Sequence, residues 1–187
     1  MIDVHMKKLS LSLALLVIFA VQAVAAVSLD DFLKRKEIKE VRMLQNESTF
    51  DRILEVMIEQ PLDHKQPNGE TFMQRIYISH VDPSAPVVMI TAGYDANYYY
   101  TSEITAELRC NQLLVEHRFF GRSVPENMDW EYLDTWQAAS DHHRIVNLFK
   151  EVYPEQWITT GISKGGQTVM YHSYYYPEDV DARVPYV

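Results

Sequence analysis

Trp157-Ile158-Thr159-Thr160-Gly161-Ile162-Ser163-Lys164-Gly165-Gly166-Gln167-Thr168-Val169-Met170 is the stretch on which the reading of this chain turns. It opens as a short β-prone run, bends through Gly161 to Gly165, and continues as a helix-compatible segment. Gly161-Ile162-Ser163-Lys164-Gly165 has the spacing G-x-S-x-G. A strand that reverses into a helix within a few residues strains the serine backbone, and side chains two positions before and after the serine would collide. Glycine at both positions removes that collision and lets the hydroxyl project from the turn. The backbone N–H of Lys164 then stands at a helix N-terminus, where unpaired donors and the helix dipole favour an oxyanion. The order of residues disfavours a phosphate-binding loop, which needs Gly-Lys-Ser/Thr after a four-residue spacer, whereas Lys164 precedes the glycine pair.

A strand before the pentapeptide and a helix after it is the context of the nucleophile elbow of α/β-hydrolases. The bland alternative is a Gly-rich turn with an incidental serine. The rest of the chain bears on the choice. Its 187 residues suit one domain, and 47% hydrophobic with 23% charged residues is a globular composition. A net charge of −9, without a basic face, argues against nucleic acid as a partner.

Lys7-Lys8, the apolar run Leu9 to Val24 and the small residues around Ala25 read as a secretory signal peptide, residues 1–26, with secreted or periplasmic localisation. The run is short for a membrane span and acids follow at once, so no stable membrane anchor is expected. The mature domain would be residues 27–187. The single cysteine, Cys110, forms no internal disulfide and reads as a small buried apolar residue. Asn46-Glu47-Ser48 is a glycosylation sequon.

In chain order, Ser28 with Asp30 and Asp31 marks a helix start, expected to run to about Leu44 with Phe32, Leu33 and Ile38 or Val41 inward. Phe50 to Glu59 and Thr71 to His80 read as two antiparallel strands, joined through Pro61 to Gly69. His64 in that connection reads as a solvated loop histidine. Pro86 to Thr91 is an uninterrupted apolar run of the kind seen in a strand buried on both faces, and Asn111 to Val115 reads as a second buried strand. Glu103 to Arg109, Thr135 to Val152 and Lys164 to Tyr176 are helical, the last ended by Pro177. Asp181 to Val187 begins another β-like run. Strand–helix units after two antiparallel strands give an α/β fold with a mostly parallel sheet and helices on both faces. Ligands bind outside the carboxyl ends of such strands, so the loops after Thr91, Val115 and Thr160 are the functional ones.

Three stretches carry a family resemblance. They are Val115-Glu116-His117-Arg118-Phe119-Phe120-Gly121-Arg122-Ser123-Val124-Pro125, Gly161 to Gln167, and Asp179 to Val187. Together they resemble the bacterial secreted tripeptidyl aminopeptidases, serine peptidases of the α/β-hydrolase class related to prolyl carboxypeptidase. The resemblance covers nearly the whole mature chain. It implies Ser163 as nucleophile of a Ser-Asp-His triad, release of tripeptides from free N-termini of peptide substrates, and a helical cap inserted later. No cofactor and no metal is implied. In this fold class the triad order is serine, acid, histidine. After Ser163 only His172 and the acids Glu178, Asp179 and Asp181 occur, in reversed order, with His172 on the helix that starts at the serine. The chain is therefore expected to be the N-terminal part of a longer hydrolase, without triad Asp and His and inactive alone. Its elbow strand would then lie at or near an exposed sheet edge. An esterase or lipase on the same fold and a non-catalytic remnant are the alternatives.

The second oxyanion donor is expected in the loop after Thr91. Either Gly93 or Tyr94 can serve there, with Tyr94 the candidate carried forward, and a plain chain reversal fits the same residues. Tyr94, Tyr98, Tyr99 and Tyr100 can wall a peptide pocket or cover a helix start. His117 is a candidate base, against which stands an ion pair by Glu116 or Arg118 that braces the elbow region. Adjacent histidines in Asp141-His142-His143 point about 100° apart on a helix, which disfavours a joint metal site. Residue preference of the substrate and oligomeric state are not legible.

Overall fold

The structure, a computed structural model, describes residues 26–45 and 49–186. The signal-peptide reading over residues 1–25 and the sequon at 46–48 lie outside the described residues. Seven strands form one sheet: β1 Ile38–Met43, β2 Arg52–Pro61, β3 Thr71–His80, β4 Val87–Thr91, β5 Asn111–Val115, β6 Trp157–Ile162 and β7 Ala182–Tyr186. Their order in space is β1-β2-β3-β5-β4-β6-β7. The first three and β5 pair antiparallel, and β5, β4, β6 and β7 run parallel. Among the described residues four α-helices accompany the sheet: α1 Leu29–Phe32, α2 Glu103–Leu108, α3 Thr135–Phe149 and α4 Lys164–Tyr175, with a 3-10 turn at Trp130–Tyr132.

Every residue of β4 and of β5 is buried, in accord with the unbroken apolar run of β4. Alternate side chains supply two cores. Met89, Leu113 and Val115 meet Ile145, Val146 and Phe149 of α3 on one face. Val88, Ile90 and Leu114 meet Cys110 and Ile104 on the other, beneath α2. Burying such a side chain contributes about 1.5–3 kcal/mol, so β4 and β5 form a rigid floor from which the loops after them project. Cys110 is buried and free, as read from sequence.

The expected helix from Ser28 to Leu44 is corrected. Ser28 does cap α1, accepting from the Asp31 N–H at 3.1 Å, but the helix ends at Phe32. Residues 38–43 form β1, antiparallel to β2. Of β1 only Ile38 is buried, and Val41 is exposed. A local sequence rich in Lys, Arg and Glu tolerates a helix, yet the open edge of β2 offers a row of backbone partners. Tertiary pairing overrides so weak a propensity. The strand β6 lies one place in from the sheet edge, covered by β7.

Candidate active site

At the C-terminal end of β6 the chain turns within one residue into α4. Ser163 holds that turn at φ +55°, ψ −122°. A non-glycine residue seldom occupies this region, which costs of order 1–3 kcal/mol and persists only where the surroundings enforce it. The enforcement is visible. A Cβ on Gly161 would stand 2.5 Å from the Gly165 carbonyl carbon and 2.7 Å from Thr91 Oγ1. One on Gly165 would overlap the Thr91 carbonyl oxygen. Thr91, the last residue of β4, donates its hydroxyl to the Gly165 carbonyl at 2.8 Å. The central strand and the first turn of α4 thus lock together at two glycines, and Ser163 is left exposed to solvent.

The donors beside Ser163 follow from the same turn. The Ser163 N–H is used by the Tyr186 carbonyl at 2.7 Å. The N–H of Lys164 has no acceptor among the described residues, as the first turn of a helix dictates. The loop after β4 lies directly against it, since a Cβ on Gly93 would meet Gly165 N at 2.7 Å and Lys164 Cβ at 2.8 Å. The Tyr94 N–H likewise has no acceptor among the described residues, while its carbonyl accepts from His117 N–H at 3.1 Å. The structure therefore brings together Ser163, Lys164 and the Gly93–Tyr94 peptide. A cleft of about 240 Å³ opens beside them, lined by Gly93, Tyr94, Tyr98, Tyr100, Leu114 and Ile162.

Glu116 organises this rim from below. Its fully buried carboxylate accepts from the Ala96 N–H (2.8 Å), the Arg122 N–H (2.9 Å), the Ser123 hydroxyl (2.7 Å) and the Arg75 guanidinium. One side chain at the end of β5 thereby fixes the loops after both β4 and β5. Gly121, at φ +55°, has no room for a Cβ because the Glu116 carboxylate fills that space.

Arg118 is equally buried but braces a different place. It grips Asp141 of α3 with two bonds of 2.7 and 2.9 Å, and donates to the Leu62 and Tyr132 carbonyls at 3.1 and 2.6 Å. His64 shares Asp141 through a 2.7 Å bond and is nearly buried, so its reading as a solvated loop histidine is corrected. Asp141 lies on α3, 77 residues along the chain from His64, and shares no sequence motif with it, so it gave no signal. Arg118 beside Asp141 holds that carboxyl down to about 2 against the opposing cost of burial.

Among the described residues no histidine bonds the Ser163 hydroxyl. His117 is buried, bonds the Arg118 carbonyl through Nδ1 at 2.8 Å, and burial lowers its pKa to about 4. His172 faces the interior and bonds Asp179 at 2.7 Å, and His143 bonds the same carboxylate at 2.9 Å. Asp181 accepts from the Trp157 N–H at the start of β6. These acids and histidines hold α3, α4 and β6 together. His142 turns inward to the Ala138 carbonyl at 2.7 Å, whereas its neighbour His143 turns to Asp179.

Comparison with known proteins agrees with this anatomy. Residues 25–187 match the PS-10 peptidase S37 family. The chain belongs to that peptidase family. It is 43% identical over 137 residues to the prolyl tri/tetrapeptidyl aminopeptidase of Streptomyces mobaraensis, a match covering 73% of this chain and 29% of that protein. The chain thus spans less than a third of this curated relative's length. Among solved structures, acetyl xylan esterase 1 from Thermoanaerobacterium aligns with a TM-score of 0.55 at 13% identity, over 84% of this chain and 58% of that one. The α/β-hydrolase GrgF from a Penicillium species aligns with a TM-score of 0.52 at 17% identity, over 71% and 45%. These likenesses establish the α/β-hydrolase fold, and the family membership accords with the tripeptidyl aminopeptidase resemblance carried by the three sequence stretches.

Proposed function

We propose that this chain carries the nucleophile and oxyanion-binding half of an exported serine peptidase that releases short peptides, tripeptides foremost, from free N-termini. The observation that carries the reading is Ser163, exposed in a strained turn beside the unpartnered N–H groups of Lys164 and Tyr94. The name of the Streptomyces relative supports the choice of substrate.

In this reading Ser163 Oγ attacks the carbonyl carbon of the scissile peptide bond. Its proton passes to a histidine base, and the carbonyl oxygen becomes an anion facing the Lys164 and Tyr94 N–H groups. Collapse breaks the C–N bond. The amine leaves with the proton from the histidine, and the peptide is held as an ester on Ser163. Water, deprotonated by the same histidine, then frees the acid. His117, His142 and His172 are committed to interior bonds, so the base and its acid are proposed to lie outside the described residues. Residues 1–187 alone would therefore give no turnover.

The test uses the complete protein. A fluorophosphonate should label the wild type and not Ser163→Ala, and tripeptide anilides should be cleaved only when their N-terminus is free. Labelling of Ser163→Ala equal to wild type would sink the assignment. Cleavage of simple esters without any peptide cleavage would move the protein to the esterases.

A further inference from the structure

Lys164 contributes more than its backbone. Its side chain turns back from the first turn of α4 and donates from Nζ to the Gly93 carbonyl at 2.6 Å. The ammonium sits 4.9 Å from the centre of the Tyr94 ring and 4.8 Å from that of Phe120. Those rings meet edge to face at 5.2 Å, one from the loop after β4 and one from the loop after β5. Phe120 is aimed there by Phe119, a buried residue in the left-handed region at φ +68°. A cation held between two aromatic faces is attracted by the ring quadrupoles.

The partner of that ammonium is the significant choice. Gly93 and Tyr94 are joined by a trans peptide, since no cis bond occurs among the described residues. In a planar trans peptide the C=O and the N–H point in opposite directions. Holding the Gly93 carbonyl on Lys164 therefore fixes where the Tyr94 N–H points. The next peptide unit is fixed too, because the Tyr94 carbonyl accepts from His117. A donor bonded through its own carbonyl is also the better donor, since hydrogen-bonded peptide groups polarise one another.

We propose that Lys164 is a positioning residue that sets the second oxyanion donor: its ammonium clamps the Gly93 carbonyl and so directs the Tyr94 N–H, while its own N–H is the first donor. One residue thereby registers both halves of the oxyanion hole to each other, and adds a positive charge one peptide unit from the developing anion. This rests on Ser163 being the nucleophile. The half-burial that keeps the ammonium from bulk water also lowers its pKa from the ordinary lysine value.

Two variants of the complete protein separate positioning from packing. Lys164→Met keeps an unbranched stem between the rings and loses the donor, and Lys164→Arg keeps charge and donor. In a Ser163→Ala background, amide hydrogen exchange at Ala96 and His117 should quicken about tenfold in Lys164→Met and remain near normal in Lys164→Arg, with α3 unchanged. With Ser163 present, Lys164→Met should lower kcat roughly 10–100-fold at nearly constant KM, the pattern of an interaction made in the transition state. Affinity for a peptide aldehyde, whose adduct carries the oxyanion, should fall by the same factor, and Lys164→Arg should recover most of both. Unchanged exchange in Lys164→Met overturns the clamp. Faster exchange with wild-type kcat overturns its role in the reaction. If the wild type takes no fluorophosphonate label, the nucleophile reading fails on that result, and the exchange data alone decide the clamp.

Discussion

Thr91 and Gly165 are in direct contact: the Thr91 hydroxyl donates to the Gly165 carbonyl at 2.8 Å, and the Thr91 carbonyl occupies the space a Gly165 side chain would need. A central buried strand is thereby fastened to the first turn of the helix that follows Ser163. Gly165→Ala should push α4 away from β4. Overpacking of this kind costs about 1–3 kcal/mol, and the expected loss of fluorophosphonate reactivity in the complete protein is at least tenfold. A variant of normal stability and normal labelling would show that the turn tolerates the shift.

Glu116 is a second fastening, and its loss should reach the loops before it reaches the sheet. Glu116→Gln leaves the Arg75 guanidinium with a neutral partner in a buried site and replaces an acceptor by a donor toward the Arg122 N–H or the Ser123 hydroxyl. Removing one member of a buried pair costs about 3–5 kcal/mol, and the lower end is expected because the amide keeps the shape. Urea unfolding would give the stability. Limited proteolysis within residues 93–98 and 119–124, enhanced in the variant, would locate the loosening.

Arg118 and Asp141 are both fully buried. Arg118→Lys is not conservative here, because one ammonium cannot replace the fork that meets Asp141 and two backbone carbonyls together. It should destabilise by about 3 kcal/mol, as should Asp141→Asn. The double replacement Arg118→Met with Asp141→Leu should recover much of the loss, since it removes both charges instead of stranding one. Equilibrium unfolding of the three variants tests the order, and a double variant worse than both single ones would contradict it.

Acid should unfold this chain through two histidines. Burial depresses His142 to about 3, aided by nearby His172, and depresses His117 to about 4. His142 Nε2 is buried without a partner among the described residues, so a proton arriving there would be an unpaired interior charge. Both folded values lie below the unfolded value of about 6.5. The neutral forms therefore stabilise the fold fully above about pH 6.5. That contribution drains away as pH falls toward about 4 for His117 and about 3 for His142, each by up to about 1.4 kcal/mol per pH unit. Thermal unfolding from pH 7 to pH 4 should show a falling Tm, and His142→Gln should flatten the slope. Asp141, held near 2, acts only lower: its contribution is present above about pH 4 and is lost as pH falls through about 2.

Short-range chemistry was legible where the chain's local geometry leaves little choice. Gly161 and Gly165 announced the elbow because nothing larger fits across a strand-to-helix turn, and the apolar run 87–91 announced a central strand because both of its faces are covered. The antiparallel pair before them was legible too, since Phe72, Ile76 and Ile78 share one side of β3. The segment 38–43 was misread as helix for the converse reason: it buries one residue, and its strand form exists only because the edge of β2 is there to pair with. His64 was misread because its partner, Asp141, is distant in the chain.

What the sequence determined by itself was the fold class and the position of Ser163, which follow from backbone sterics and apolar patterning over a few neighbouring residues, and, through the resemblance of three motif stretches, the family of peptidases to which the chain belongs. What only the tertiary structure decided was who meets whom across loops: that Glu116 answers Arg75 while Arg118 answers Asp141, and that the Lys164 ammonium closes on Gly93 between Tyr94 and Phe120. Contacts of that kind depend on where separate strands end relative to one another, and register between distant segments is set by packing of the whole sheet, which no local pattern records.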